Sequence, residues 1–252
     1  MRTCLLLIAV AHALAAQAIF SPYSDRHGLE APVEQFVLSD EPFDVVLRNL
    51  AALARPNSVI GFEPAVGRGE DRRLGIAREV KNGTVGGVLA LMIAADDRYI
   101  YSEPRPGVIR VQPKVENPEL ATILNLPIAD ARIDVNDWPE NVIMHIAGFL
   151  PELGRYLQSR EREWSRKTGR PLPGSAGSIL SGNVPPPELS VALRDTTVRG
   201  VLDAMAAYTL EHGSKTLVDN PLVPPTGWRI DFKPDPEAFT GLGGYVSWSR
   251  FP

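Results

Sequence analysis

Apolar residues recur at helical spacing in four stretches of the chain and alternate with polar ones in most of the segments between them. Over residues 43–54, Phe43, Val46, Leu47, Leu50, Leu53 and Ala54 fall on one side, with Asp44, Arg48 and Asn49 opposite, which predicts an amphipathic helix. Ser39-Asp40-Glu41-Pro42 supplies a capping side chain and a first-turn proline, and Arg55-Pro56-Asn57 stops the helix. Short runs at 34–38 and 58–62 predict strands on either side of it, and a third strand is expected over 73–80, with Leu74, Ile76 and Val80 facing one way. Thr84 then caps a second helix whose buried stripe is Val85, Val88, Leu89 and Met92. Segments 99–103 and 108–111 predict a hairpin turned through Pro104-Arg105-Pro106-Gly107. The order is β-α-β-β-α-β-β.

The second half repeats part of this grammar. Residues 81–94 (KNGTVGGVLALMIA) and 194–207 (RDTTVRGVLDAMAA) align at a constant offset, 194 − 81 = 113, with seven identities in fourteen positions. A shared apolar stripe explains the matched valines and leucines, but not why a capping threonine (Thr84, Thr197) and a glycine (Gly87, Gly200) recur at the same points. Around this helix, 132–135 and 189–193 predict strands, 136–157 a helix kinked or split by Pro151, and 228–232 a closing strand. The expected class is α+β: two small βαββαβ-type modules, each with short sheets packed on two helices. Their expected bounds are 33–113 and 127–235, joined by a linker at 114–126 and followed by a tail at 236–252.

Phe43-Asp44-Val45-Val46-Leu47, Val80 with the run from Thr84 to Leu89, and the hairpin at 99–111 together resemble the STN domain, the short N-terminal module of secretins and TonB-dependent receptors. The resemblance covers 33–113 and, less closely, 126–234, where a long insertion separates the first helix from the repeated one. It implies small β-α-β folds that dock and signal in the periplasm and carry no catalytic residues. No secretin or receptor barrel follows, so it implies neither a secretion pore nor iron uptake.

The N-terminus adds an export signal. Arg2, an apolar run over 4–14 and the small residues of Ala16-Gln17-Ala18 have the three parts of a secretory leader, with cleavage expected after Ala18 (1–18 removed). The run is broken by His12 and is shorter than the roughly 20 residues that cross a bilayer. Cys4, the only cysteine, precedes the apolar run, which disfavours a lipid anchor, and its removal leaves a mature chain with no disulfide or thiolate. Losing Arg2 changes the net charge from −4 to −5 (−4 − 1), which gives no reason to expect nucleic acid. The location expected is periplasmic or secreted, with no later transmembrane segment.

Candidate chemistry is thin. The mature chain has no Cys-x-x-Cys, His-Glu-x-x-His or P-loop pattern, and no cofactor, metal or catalytic residue is expected. His145, on an apolar helix without a ligand neighbour, reads as structural or partly buried; His27 and His212 read as solvated. Gly174-Ser175-Ala176-Gly177-Ser178 lacks the spacing of a nucleophile elbow, and Gly67-Arg68-Gly69 reads as a loop before an anion site. Asp96-Asp97 and Asp134 with Asp137 read as caps and solubilising charges. The basic stretch 155–170 reads as a solvated face with local salt bridges before an anionic-surface contact. In the tail, Tyr245, Trp248 and Arg250 belong to an alternating stretch that reads as ordinary terminal packing before an edge strand or a peptide that docks elsewhere, and they are the candidate partner-docking residues. The function expected is a non-enzymatic interaction module of the cell envelope that docks an envelope protein through sheet edges or an inter-module groove. The alternative is a secreted hydrolase or carbohydrate-binding accessory protein, with Trp138, Trp164 or Trp228 lining a glycan cleft.

Overall fold

Burial on both faces of a few short strands sets the architecture. In a computed structural model, residues 26–54, 57–65, 72–170, 186–219, 225–234 and 244–251 are described. The strands are β1 (Pro32–Leu38), β2 (Val59–Phe62), β3 (Arg78–Thr84), β4 (Tyr99–Arg105), β5 (Val108–Pro113), β6 (Pro127–Asn136), β7 (Glu188–Thr197), β8 (Gly227–Pro234) and β9 (Gly244–Phe251). The helices are α1 (Phe43–Ala54), α2 (Val85–Ala95), α3 (Pro118–Leu124), α4 (Pro139–Met144), α5 (Ile146–Phe149), α6 (Pro151–Thr168) and α7 (Val198–Asp219). The class is α+β.

Strands β4-β5-β2-β8-β9 form a five-stranded sheet, and the pairs β1-β3 and β6-β7 form two antiparallel ribbons. β2 runs parallel to both β5 and β8. Alternate side chains of the central sheet enter different cores. Ile60, Phe62, Tyr99, Ile109, Val111 and Phe251 join α1, α2 and the β1-β3 ribbon, whereas Val59, Val108, Trp228 and Ile230 join α3 to α7 and the β6-β7 ribbon. A sheet covered on both faces needs apolar residues without alternation, and all four residues of β2 are buried. The two halves therefore share this sheet, with β2 of the first half inserted against the hairpin of the second, rather than each closing on a short sheet of its own.

The likeness between the halves goes beyond the repeated helix. Pro32 pairs with Thr84 and Pro127 with Thr197. β1 and the first seven residues of β6 bury the same positions. Val85 donates to the Ala31 carbonyl at 3.0 Å and Val198 to that of Leu126 at 3.3 Å. Both helix starts are capped alike, Gly87 donating to Thr84 Oγ1 at 3.1 Å and Gly200 to Thr197 Oγ1 at 3.2 Å. Asn82 (φ 50°) and Asp195 (φ 48°), again 113 apart, are the described non-glycine residues with positive φ, a conformation that Asn and Asp tolerate best.

Several elements depart from expectation. The third strand begins at Arg78 instead of residue 73, because Gly75 adopts φ +67° and donates its N–H to Asp40 Oδ1 at 2.9 Å, a turn rather than a strand. The helix expected over 136–157 is split at Pro151, as its missing N–H requires, and is also broken at His145. Residues 114–126, expected as a linker, carry α3, capped by Asn117 and burying Leu120, Ile123 and Leu124. Much of the expected tail is β9, paired with β8, and its Phe251 ring lies 5.4 Å from that of Phe62 in the first core. The leader with its Ala18 cleavage site, Gly67-Arg68-Gly69 and the segment 174–178 lie outside the described residues. Among the described residues no helix is long and apolar enough to cross a membrane.

Candidate docking edge and the buried ion network

β9 is the outermost strand of the central sheet, with β8 on one side and no strand on the other among the described residues. Of the candidate docking residues, Tyr245 registers with Lys233, Trp248 with Ile230 and Arg250 with Trp228. α4, whose Val142 and Ile143 join Trp228 and Ile230 in the second core, packs against β9.

Sequence reasoning missed a buried ion network between the halves. Arg199, in the first turn of α7, donates from Nε and Nη2 to the two Glu63 carboxylate oxygens at 2.8 and 2.9 Å. Its guanidinium also reaches Glu116 Oε1 at 2.9 Å and Asn125 Oδ1 at 2.7 Å. One turn along α7, Asp203 accepts from Arg110 of β5 and, at 3.1 Å, from the indole Nε1 of Trp228. On the opposite face Arg229 of β8 reaches Asp44 of α1 at 3.2 Å and lies 5.3 Å from the Phe62 ring centre. Glu63 is 2% and Asp203 1% exposed.

Desolvation pushes both the Glu63 and Asp203 carboxyls above the usual range, against the pull of their arginine partners. Arg199 is held up although burial opposes its charge, because two carboxylates face the one guanidinium. The two directions pull the pair opposite ways, Glu63 toward its neutral form and Arg199 toward its charged one; the geometry, with both Glu63 oxygens accepting from the guanidinium, favours the charged pair. Both oxygens of Glu63 and of Asp203 accept hydrogen bonds from fixed neighbours, so these carboxylates hold structure rather than move protons. The signal was in the repeat: Arg199 and Asp203 stand where the first copy has Gly86 and Ala90 (86 + 113, 90 + 113), two charges at i, i+4 in an otherwise apolar helix start.

The other candidates resolve one by one. Trp228 is fully buried with its Nε1 bonded, so it cannot stack on a sugar; Trp138 and Trp164 are half-buried. His145 is exposed between α4 and α5 instead of partly buried, because the helix breaks there. His27 is exposed, and so is His212, whose ring stacks on Tyr208 at 3.9 Å. α6 carries the basic stretch with local ion pairs, Lys167 to Glu163 at 2.7 Å and Arg160 to Glu163 at 3.4 Å, and Arg160 also reaches Glu119 of α3 at 3.7 Å. Asp137 accepts from Trp138 N at 2.7 Å and Asn141 Nδ2 at 2.8 Å at the start of α4, while Asp134 is exposed. Among the described residues no three His, Asp or Glu side chains gather as a metal site.

Asp96 is not a solubilising charge: it is 1% exposed and its Oδ2 accepts from Arg98 Nη2 at 2.6 Å. Burial would raise its carboxyl, but the Arg98 side-chain and backbone hydrogen bonds outweigh that and hold it below its ordinary value of 3.8. A depressed native value means stability that is present above the unfolded-state value and lost as pH falls through the native one. Asp96→Asn should therefore unfold about 1–2 kcal/mol more easily than wild type at neutral pH. In urea titrations the two proteins should converge as pH falls below 3.8; a gap unchanged with pH would show that the ion pair is not its source.

Comparison with known proteins returned no matching family model, no matching curated protein and no matching solved structure.

Proposed function

We propose that this is a non-enzymatic docking protein of the bacterial cell envelope, exported to the periplasm or beyond, which holds an envelope partner by strand addition at the side of β9 that no strand occupies among the described residues. The carrying observation is the contrast between β9 and the other strands with a side that no described strand occupies. Natural edges are guarded by proline and charge. β4 carries Glu103, Pro104 and Arg105; β1 carries Glu34, β3 carries Arg78, Glu79 and Lys81, β6 carries Asp130, Arg132 and Asp134, and β7 carries Glu188, Arg194 and Asp195. β9 carries one charge, Arg250, and has neither proline nor charge from Gly244 to Ser249 (Gly-Tyr-Val-Ser-Trp-Ser). The resemblance to STN modules, which dock in the periplasm, supports the same reading, as does the fixed engagement of the buried carboxylates.

A chain ending before Gly241 would be a poor test, since it removes Phe251 from the first core. Ser247→Lys is better, because the new charge registers with Asp231 across β8-β9. Affinity capture from envelope extract with the mature wild-type chain should recover a stoichiometric envelope protein, and Ser247→Lys should reduce that recovery at least tenfold with little change in the thermal unfolding midpoint. Equal recovery by the two chains would place docking elsewhere; recovery of glycan alone would favour the carbohydrate-binding alternative.

A further inference from the structure

We propose that the outer face of α6 binds the anionic surface of a phospholipid bilayer through a row of arginines, Arg155, Arg162 and Arg166. This surface does not rest on docking at β9. At about 3.6 residues per turn the side chains of the row leave the helix within roughly 40° of one another and spread along about 16 Å of its axis, and all of them are exposed. Gln158 and Ser159, the exposed residues between Arg155 and Arg162, are neutral. The helix keeps its carboxylates elsewhere: Glu152, Glu161 and Glu163 are half-buried, and Glu163 is held by Lys167 at 2.7 Å and Arg160 at 3.4 Å. Among the described residues no arginine of the row forms an ion pair, and Arg166 feels Glu163 only through space.

A helix face that serves solubility alone mixes the signs of its charges. Here Arg162 and Arg166, one turn apart, repel each other, a repulsion that an anion facing them would remove. What that anion belongs to follows from what the face lacks. After Pro151 no exposed residue of α6 is apolar, so the face has no aromatic or aliphatic anchor of the kind on which protein interfaces centre. The apolar side of the helix supplies none, because Leu153 is buried in the second core with Tyr156 and Leu157 packed against it. Insertion among lipid chains, which needs a free apolar face, is excluded on the same ground. What the row fits is adsorption by charge onto a surface of closely spaced anions, and in a cell envelope that is a bilayer containing acidic phospholipid. The net charge of −4 keeps the rest of the molecule off such a surface, so the row also sets the orientation of the bound chain. Each arginine near the surface raises binding roughly fivefold, and the row as a whole about a hundredfold.

The test is co-sedimentation of the intact mature chain with vesicles of phosphatidylcholine alone or with about one third phosphatidylglycerol. Binding to the acidic vesicles is expected at about 0.05 M salt, with little binding to the neutral ones, and most of it should be lost at about 0.5 M, where screening is short-ranged. Arg155→Gln, Arg162→Gln and Arg166→Gln together should weaken binding about a hundredfold and leave the thermal unfolding midpoint unchanged, since these side chains are exposed. Arg155→Lys, Arg162→Lys and Arg166→Lys together should keep it. Removing the same charge at Arg48, Lys81 and Arg132, each exposed and paired with a carboxylate, should change binding less than about threefold. Equal weakening by the two sets of glutamine replacements would overturn the assignment to α6 and make net charge the cause. Equal binding to neutral vesicles, or binding that survives high salt, would overturn it by showing an apolar contact. Absence of vesicle binding would also overturn it, including the case in which the row captures an acidic protein from envelope extract instead.

Discussion

Replacing Arg199 with methionine should lower the unfolding free energy by about 3–5 kcal/mol, the usual cost of removing one partner from a buried ion pair. The guanidinium donates to both oxygens of Glu63, which is 2% exposed, and methionine fills similar volume without donating. What remains is a buried carboxylate at the junction of β2 and α7 that has lost its hydrogen-bonded counter-charge and keeps only the field of Arg110. Glu116, with 29% of its side chain exposed, can turn to water and should contribute little to the loss. Without Arg199 the Glu63 carboxyl should rise further, and a raised carboxyl favours the folded state as pH falls; the variant should therefore recover part of its stability in acid. Adding Glu63→Leu should restore more than half of the loss, because two apolar groups leave no charge buried. Denaturant unfolding of the two single variants and the double variant gives the coupling directly; a loss under about 1 kcal/mol for Arg199→Met would show that the network is not what ties the halves together.

That network marks the limit of what the sequence discloses. The helices of both repeats were legible because Val85, Val88, Leu89 and Met92 and their counterparts at 198, 201, 202 and 205 bury one stripe at helical spacing, and a threonine cap announces each start. Strand segments were legible by alternation, although their ends moved wherever a turn intervened, as at Gly75. Sheet order was not legible. β2 meets β8 across more than 160 residues of chain, and nothing local in Val59-Ile60-Gly61-Phe62 states that both of its neighbours run parallel to it. Its lack of alternation carried half of that message, since a strand apolar on every residue is one covered on both faces. The mismatches of the repeat at Arg199 and Asp203 are the residues with which the second copy holds the first. The candidate docking residues were placed on a strand in the sequence, and that strand, with the single charge Arg250, is the less charged of the two outer strands of the central sheet. Their partner is not written in the chain, because strand addition reads backbone first and side chains second.

The sharpest local test of the shared sheet is the contact between Gly61 and Trp228, where the halves meet strand to strand. Trp228 is fully buried, and an added Cβ at Gly61 would come within 2.5 Å of its indole. Trp228→Ala should cost about 3–5 kcal/mol, because it opens a cavity that β2 and α7 cannot close. It also removes the indole donor from the buried Asp203, leaving that carboxylate with Arg110 alone. Gly61→Ala alone should also destabilise, by about 1–3 kcal/mol, since the ring is walled in and has to shift to admit a methyl group. In the Trp228→Ala background the same methyl enters the vacated space, and the sign of its effect should reverse, so that the double variant is more stable than Trp228→Ala. Urea unfolding of the four proteins measures this cycle. If Gly61→Ala costs the same in both backgrounds, the ring does not lie against that glycine; a reversal would establish the contact of β2 with β8 through which the two halves share the sheet.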